Sequence, residues 1–325
     1  MTQATYDVLG VGNAIVDILA QTDEAFLDKH GMAKGGMTLV DEAQAHAIYA
    51  AMGSGIEASG GSAGNTIAGV ASFGGKAAFI GRVKDDEFGT IFAHDLRSLG
   101  VAYETPSAKD GPATARCLVL VTPDAQRTMN THLGACVDLT EDDIDPALVA
   151  AAQVTYLEGY LFDPPLAKEA FRKAARLARG AGRKVALTLS DSFCVHRYHD
   201  EFLELISDHV DILFANEAEI EALYPDTSLA EAAGLLAAQV EIAAITRSEK
   251  GSLLVRGDER AEVAAQPIAK LVDTTGAGDL YAAGVLFGLT RGKPLAECGR
   301  LGSIAAAEVI SHYGARPEVS LAGLV

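Results

Sequence analysis

The chain has 325 residues, with 44 acidic and 26 basic side chains and a formal charge of −18. Half of it is hydrophobic (49%) and 22% is charged, which excludes a disordered, collagen-like or coiled-coil protein and supplies a full core without disulfides or metals. Strong net acidity argues against duplex nucleic acid or an anionic membrane as main partner, because phosphate backbones demand a basic face. A small anion is still admissible, since a local site can be positive inside a negative protein.

Length divided by roughly 150 gives about two domains, or one large α/β domain with an insert. Cys117, Cys136, Cys194 and Cys298 stand alone. None forms a Cys-x-x-Cys, so neither a zinc framework nor a redox pair is signalled, and lone thiols suit a reducing cytosol. The first seven residues carry no basic region or apolar run of signal length, and the Ala-rich stretches are broken by charges. A soluble cytoplasmic protein without a membrane partner is the expectation.

In chain order, Tyr6–Val11 predicts a strand, 66–73 a helix, Ala77–Ile80 a strand and 87–99 a helix. Next come a strand at 154–157, a helix at 165–181, a strand at 184–189, a helix at 201–207 and a strand at 210–214. Glu217–Leu223 and Leu229–Gln239 read as helices, and Ile242–Thr246 and 252–255 as extended. Two long helices close the chain near 276–290 and 294–311. Repeated strand–helix alternation predicts an α/β fold with a mostly parallel sheet covered on both faces.

Two stretches, 14–40 and 101–132, favour strand-like alternation and turns instead. Within the second, 116–121 and 127–131 flank Thr-Pro-Asp-Ala-Gln and predict a hairpin. The expected division is a large α/β domain from 1–13, 41–100 and 133–325, with a small β-rich lid from 14–40 and 101–132.

Asp273-Thr274-Thr275-Gly276-Ala277-Gly278-Asp279 is the strongest local signal. Small residues open a helix there. Glycine admits close backbone approach, and the first amides of a helix lack intrahelical partners, which together with the dipole makes an anion site. As a mere helix start with packing glycines, the string would not explain a carboxylate beside an anion. A base that takes the proton of a hydroxyl attacking a phosphate would.

Elsewhere, Gly10-Val11-Gly12-Asn13-Ala14-Ile15-Val16-Asp17 has two glycines of a dinucleotide fingerprint but Ile15 in place of the third. Asp17 follows a predicted strand, where an Asp can accept hydroxyl hydrogen bonds or simply make a turn. Gly60-Gly61-Ser62-Ala63-Gly64-Asn65 can serve as a hinge, since Gly-Gly reaches dihedrals closed to other residues, or as a loop capped by Asn65. Asn216-Glu217-Ala218-Glu219 suits either a helix start or magnesium held through water. No Gly-Lys is followed by Ser or Thr, so a Walker loop is absent. Cys194, His196, His199 and Asp200 lie close together in sequence, but no second ligand pair accompanies them, and they read as surface residues.

The seven-residue string resembles the signature of the ribokinase-like (PfkB) carbohydrate and nucleoside kinases, and the resemblance extends over nearly the whole chain. It implies the ribokinase-like fold, with Asp279 as catalytic base and Gly276, Ala277 and Gly278 as anion hole. Substrate contacts would come from Asn13, Asp17, Gly60, Gly61 and Asn65, with Arg127 near the phosphate. Thr246-Arg247-Ser248-Glu249-Lys250-Gly251 is similar to the nucleotide loop, with Ser248 in place of its first glycine. Thr246, Ser248, Gly251, Asn216 and Gly278 would bind ATP. Asn216 and Glu219 would hold magnesium through water, and Asp273 and Thr275 a monovalent cation such as potassium.

Several segments look like the adenosine kinases of that family, among them 8–13, 26–31, 187–193 and 211–217. Thr275 departs from them, standing where many carry Asn. The implied acceptor is adenosine, phosphorylated at its 5′-hydroxyl in purine salvage, with a ribokinase- or fructokinase-type sugar kinase as the alternative. A purine needs apolar or aromatic walls, stacking being worth roughly 1–3 kcal/mol per base. With no Trp in the chain, Phe193, Tyr160, Leu133 and Met129 are the candidates, each equally readable as core. The expected partners are thus ATP and a small acceptor, and the expected assembly is a monomer or homodimer.

Overall fold

The computed structural model describes residues 4–124 and 126–325. Ala125, in the expected hairpin turn, lies outside them. The first four strands are β1 (Tyr6–Val11), β2 (Ile15–Gln21), β3 (Met37–Leu39) and β4 (Ile56–Ser59). Then come β5 (Ala77–Ile80), β6 (Ala102–Tyr103), β7 (Ala115–Val121), β8 (Arg127–His132) and β9 (Ala152–Glu158). The last five are β10 (Lys184–Thr188), β11 (Ile212–Asn216), β12 (Ile242–Thr246), β13 (Ser252–Arg256) and β14 (Glu259–Val263).

Nine strands form the large sheet, in the order β14-β13-β12-β11-β10-β9-β1-β5-β6. It is parallel from β6 through to β12 and ends in the antiparallel β12-β13-β14. The physical reason is visible in β1. Val8 packs into the core on one face, with Ile67, Phe79 and Leu280, while Leu9 and Val11 pack on the other with Phe171 and Leu187. A strand apolar on both faces must be covered twice, which fits a parallel sheet between helix layers. Helices Ser62–Ser72, Ala277–Thr290 and Leu295–Val309 contribute to the first layer, and helix Pro165–Gly180 to the second.

A second, smaller sheet has the order β3-β8-β7-β2-β4. The stretches 14–40 and 101–132 supply four of its strands, but two boundaries move. Strand β4 comes from 41–100, which was expected in the large domain, and β6 belongs to the large sheet. The hairpin is present as β7 antiparallel to β8.

Two helix boundaries also differ. The helix expected at 66–73 begins at Ser62, because Gly61 turns the chain with φ +82° and serves as N-cap. Asn65 is therefore inside the helix and does not cap it. The helix expected at 201–207 spans His199–His209 and follows a short one at Ser192–Arg197. Among the described residues, no helix is long and apolar enough to cross a membrane.

Candidate active site

A cavity of about 420 Å³ opens between the two sheets. Parallel strands put their carboxyl ends there: β9 ends at Glu158, β11 at Asn216 and β12 at Thr246, and all three residues line the cavity. Ligands of open α/β sheets bind outside these ends.

At one end is the N-terminus of helix Ala277–Thr290. Gly276, its N-cap, is left-handed at φ +75°, and no side chain caps the helix. A Cβ on Gly276 would lie 2.9 Å from that of Ala315, so glycine is required twice over. The Ala277 amide donates to the Thr274 carbonyl at 3.3 Å; the remaining first-turn amides of such a helix lack intrahelical partners, which together with the dipole suits an anion.

Asp279 sits in that first turn, facing the cavity. Its Oδ1 accepts from Ser62 Oγ (2.7 Å) and its Oδ2 from Asn65 Nδ2 (2.9 Å). The Thr66 hydroxyl donates to its carbonyl at 3.1 Å. Burial raises the Asp279 carboxyl above its usual range, opposed by the Asn65 and Ser62 bonds and by Arg316 and Arg127.

Toward the lid, Asn13 and Asn65 share one design. Each spends its amide donor on a carboxylate: Asn13 Nδ2 on Glu158 Oε1 (2.7 Å), Asn65 Nδ2 on Asp279. In their ionised forms the carboxylates only accept, which turns both amide donors toward them. Both Oδ1 atoms are buried and have no protein partner among the described residues, so each is an acceptor ready for a hydroxyl. Asp17 adds a third acceptor. Burial pushes its carboxyl up to about 7, with Arg316 the main opposing charge and Asp279 adding repulsion. Glu158, buried and also bonded to the Ala63 amide at 2.8 Å, is likewise pushed up to about 7 by burial.

Arg127 reaches from lid strand β8 to the anion turn. Its Nε lies 3.0 Å from Asp273 Oδ1, and its Nη2 donates to Thr274 Oγ1 at 3.1 Å. One cation thereby joins the smaller sheet to the turn before helix Ala277–Thr290.

Residues 51–321 match the pfkB family of carbohydrate kinases. The chain belongs to that family. This kinase superposes on the solved adenosine kinase of Sinorhizobium meliloti with a TM-score of 0.94 and 55% identity, over 99% of this chain and 98% of that one. A probable sugar kinase from Rhizobium etli CFN 42 is similar at TM-score 0.94 and 50% identity, with the same coverage. The adenosine kinase of Saccharomyces cerevisiae is 27% identical over 338 residues, 95% of this chain and 96% of that protein. The ribokinase-like fold and the kinase activity expected from the signature thus stand.

Most of the anticipated residues converge in the kinase's cavity: Asn13, Asp17, Gly61, Asn65, Arg127, Met129, Leu133 and Tyr160 on the acceptor side. Asn216, Glu219, Thr246, Thr275 and Gly276 to Asp279 line it too. Gly60 supports from behind, since a Cβ there would fall 2.2 Å from Asp17 Oδ2.

Phe193 is a correction. It is 72% exposed and is not on the cavity wall. Asp191 caps the short helix through the Phe193 amide (2.7 Å), and the ring points outward. The same segment gives Thr188 and Ser190 to the wall instead. Ser248 and Gly251 are also off the cavity wall, in the turn after β12, with φ +52° and +86°.

Glu219 and Asn216 form a reciprocal capping box. Each Glu219 oxygen takes one bond from Asn216, at 3.0 and 2.7 Å, which leaves a lone pair on each. That donor set fits a hydrated magnesium ion. Asp273, expected with Thr275 at a monovalent cation, is tied to the chain around it, and the guanidinium of Arg127 stands beside it. Its Oδ1 accepts from Thr275 N (2.9 Å) and Thr275 Oγ1 (2.5 Å) and lies 3.0 Å from Arg127 Nε, while its Oδ2 accepts, among the described residues, only from Gly314 N (3.0 Å).

Sequence reasoning missed Ser62, Glu158 and Arg316. Ser62 was legible as a hydroxyl within the glycine motif. The other two act through contacts 95 to 257 positions away in the chain and carry no local signature.

Proposed function

We propose that this kinase transfers the γ-phosphoryl group of ATP to the 5′-hydroxyl of adenosine, giving AMP and ADP. The observation that carries the reading is the placing of Asp279. It lies in the first turn of an uncapped helix, and its two oxygens are held by Ser62 and Asn65 from the acceptor wall. The base is therefore aimed at the boundary between an acceptor site and an anion site. High similarity to the Sinorhizobium meliloti adenosine kinase supports adenosine as acceptor.

In this reading Asn13, Asp17 and Asn65 accept hydrogen bonds from the ribose hydroxyls. Asp279 takes the proton of the 5′-hydroxyl as its oxygen forms a bond to the γ-phosphorus and the bond to the leaving ADP oxygen breaks. The amides at the start of helix Ala277–Thr290 and Arg127 stabilise charge on the phosphoryl oxygens. Magnesium bound through water near Asn216 and Glu219 would add charge neutralisation when present. The four unpaired cysteines suit a reducing compartment, and we place the reaction in the cytoplasm.

A sugar is the second reading, favoured by the polar acceptor end and by the Rhizobium etli relative. The test is ADP release from ATP and magnesium with adenosine, inosine, guanosine, ribose and fructose at matched concentrations. Turnover with adenosine alone is the expected result. Turnover with a sugar and not adenosine would overturn the acceptor while keeping the chemistry.

A further inference from the structure

Arg316 lies in the tail segment after helix Leu295–Val309, far in sequence from the hinge glycines. Its guanidinium nevertheless brackets them. Nε donates to the Ser59 carbonyl at 2.8 Å, Nη2 to Ser59 Oγ at 3.1 Å and Nη1 to the Gly64 carbonyl at 2.5 Å. Ser59 ends lid strand β4, Gly64 lies in the first turn of helix Ser62–Ser72, and Gly60-Gly61 lies between them. One planar side chain thus holds both sides of the Gly-Gly pair on the cavity's acceptor edge. A fork of fixed geometry does this and a point charge does not.

The two residues before it grip the other end of the site. The Gly314 amide donates to Asp273 Oδ2 at 3.0 Å, and Ala315 packs against Gly276, the N-cap of the Asp279 helix. Three consecutive residues therefore touch the phosphate turn and the lid hinge together.

We propose that Arg316 is a positioning residue, which couples occupancy of the Gly276–Asp279 turn to the setting of the lid hinge. This deepens the function above and rests on reading that turn as the phosphoryl site. Nucleotide phosphates that tighten the turn would stiffen the 314–316 strut, and the fork would hold Ser59 and Gly64 at the separation the acceptor site needs.

The test is amide hydrogen exchange of the full chain with and without magnesium and a non-hydrolysable ATP analogue. It is run on the native protein, Arg316→Gln and Arg316→Lys. In the native protein the analogue should slow exchange at 276–280 and also at 56–64, the latter about fivefold, the low end of coupling between sites. In both variants protection at 276–280 should persist and protection at 56–64 should be lost. The Arg316→Lys variant keeps the charge but not the fork, so a merely structural or charge role would be rescued by it. The variants should also raise the acceptor KM more than the ATP KM. If Arg316→Gln does not fold, Arg316→Lys, which keeps the aliphatic stem and the charge, carries the measurement. Protection at 276–280 with none at 56–64 in the native protein, or equal protection at 56–64 in the variants, would overturn the coupling. No protection at 276–280 in the native protein would overturn the phosphate reading and the coupling with it.

Discussion

Asp279 is held in place by two neutral donors, so replacing it by Asn should leave the backbone and the acceptor site largely intact. We expect Asp279→Asn to cut kcat by about 10²–10⁴, the range for a lost general base, with acceptor binding retained. Steady-state kinetics together with direct titration of adenosine checks this, and near-native kcat would remove the base assignment. Glu158 gives a pH test. Its carboxyl ordinarily titrates near 4.5, and burial raises it to about 7 in the folded protein. Between those values the native state binds more protons than the unfolded chain, so its contribution to stability is present at low pH and is lost as pH rises through 7. The stability of the native protein relative to Glu158→Gln should therefore fall between pH 4.5 and 8, by up to about 3 kcal/mol. Chemical denaturation of both proteins across that range measures it, and a flat difference would show that Glu158 stays ionised. None of this residue-scale electrostatics was legible in the sequence. The Asp279 turn was, because seven consecutive residues carry it, whereas Glu158 gains its role by meeting Asn13 and Ala63 from distant parts of the chain.

Elements followed the sequence wherever their pattern was long or buried. Strand β1 and helices Glu217–Leu223 and Leu229–Gln239 fall where hydrophobic spacing put them. Strand β4 did not announce itself. It has four residues, Ile56 is 69% exposed and only Ser59 is buried, so no alternation marks it. Strand β6 has two residues and depends on β5 for its identity. Phe193 reads as a pocket wall because it is an aromatic beside a substrate-like segment, whereas in the fold the residue is largely exposed in the first turn of a short helix capped by Asp191. The turns carry two predictions. Ser248 adopts φ +52°, which costs an L-residue about 1–2 kcal/mol relative to glycine. Ser248→Gly should raise Tm by about 1–3 °C in a thermal melt; an unchanged or lower Tm would remove the strain argument. Gly61 is the reverse case, since at φ +82° a Cβ would lie 2.2 Å from the Asn13 carbonyl. Gly61→Ala should cost about 2–3 kcal/mol and raise the acceptor KM.

At the scale of the molecule, a charge of −18 surrounds a cavity that receives a polyanion. Repulsion at long range should slow nucleotide capture, and salt should relieve it, because exposed charges are screened beyond about 10 Å at 0.1 M. Raising ionic strength should increase kcat/KM for ATP and leave that for neutral adenosine unchanged. A decrease for ATP would show that the field of Arg127 and the helix terminus governs the approach.

The position of β1 has a consequence for synthesis. It precedes both of its neighbours in the chain but lies between β5 and β9, and its Val8 and Leu9 pair with Ala77 and Ala78 on one edge and with Val154 and Thr155 on the other. A nascent chain that ends before residue 150 holds this interior strand with one edge unpaired and one apolar flank open. Such edges invite association with other chains. The same chain has yet to make Arg291, whose guanidinium fastens Asp7 at 2.7 and 2.8 Å. Strand β1 is thus delivered long before the residues that seal its second edge and fasten its start, and it must wait for the last third of the chain to lock it.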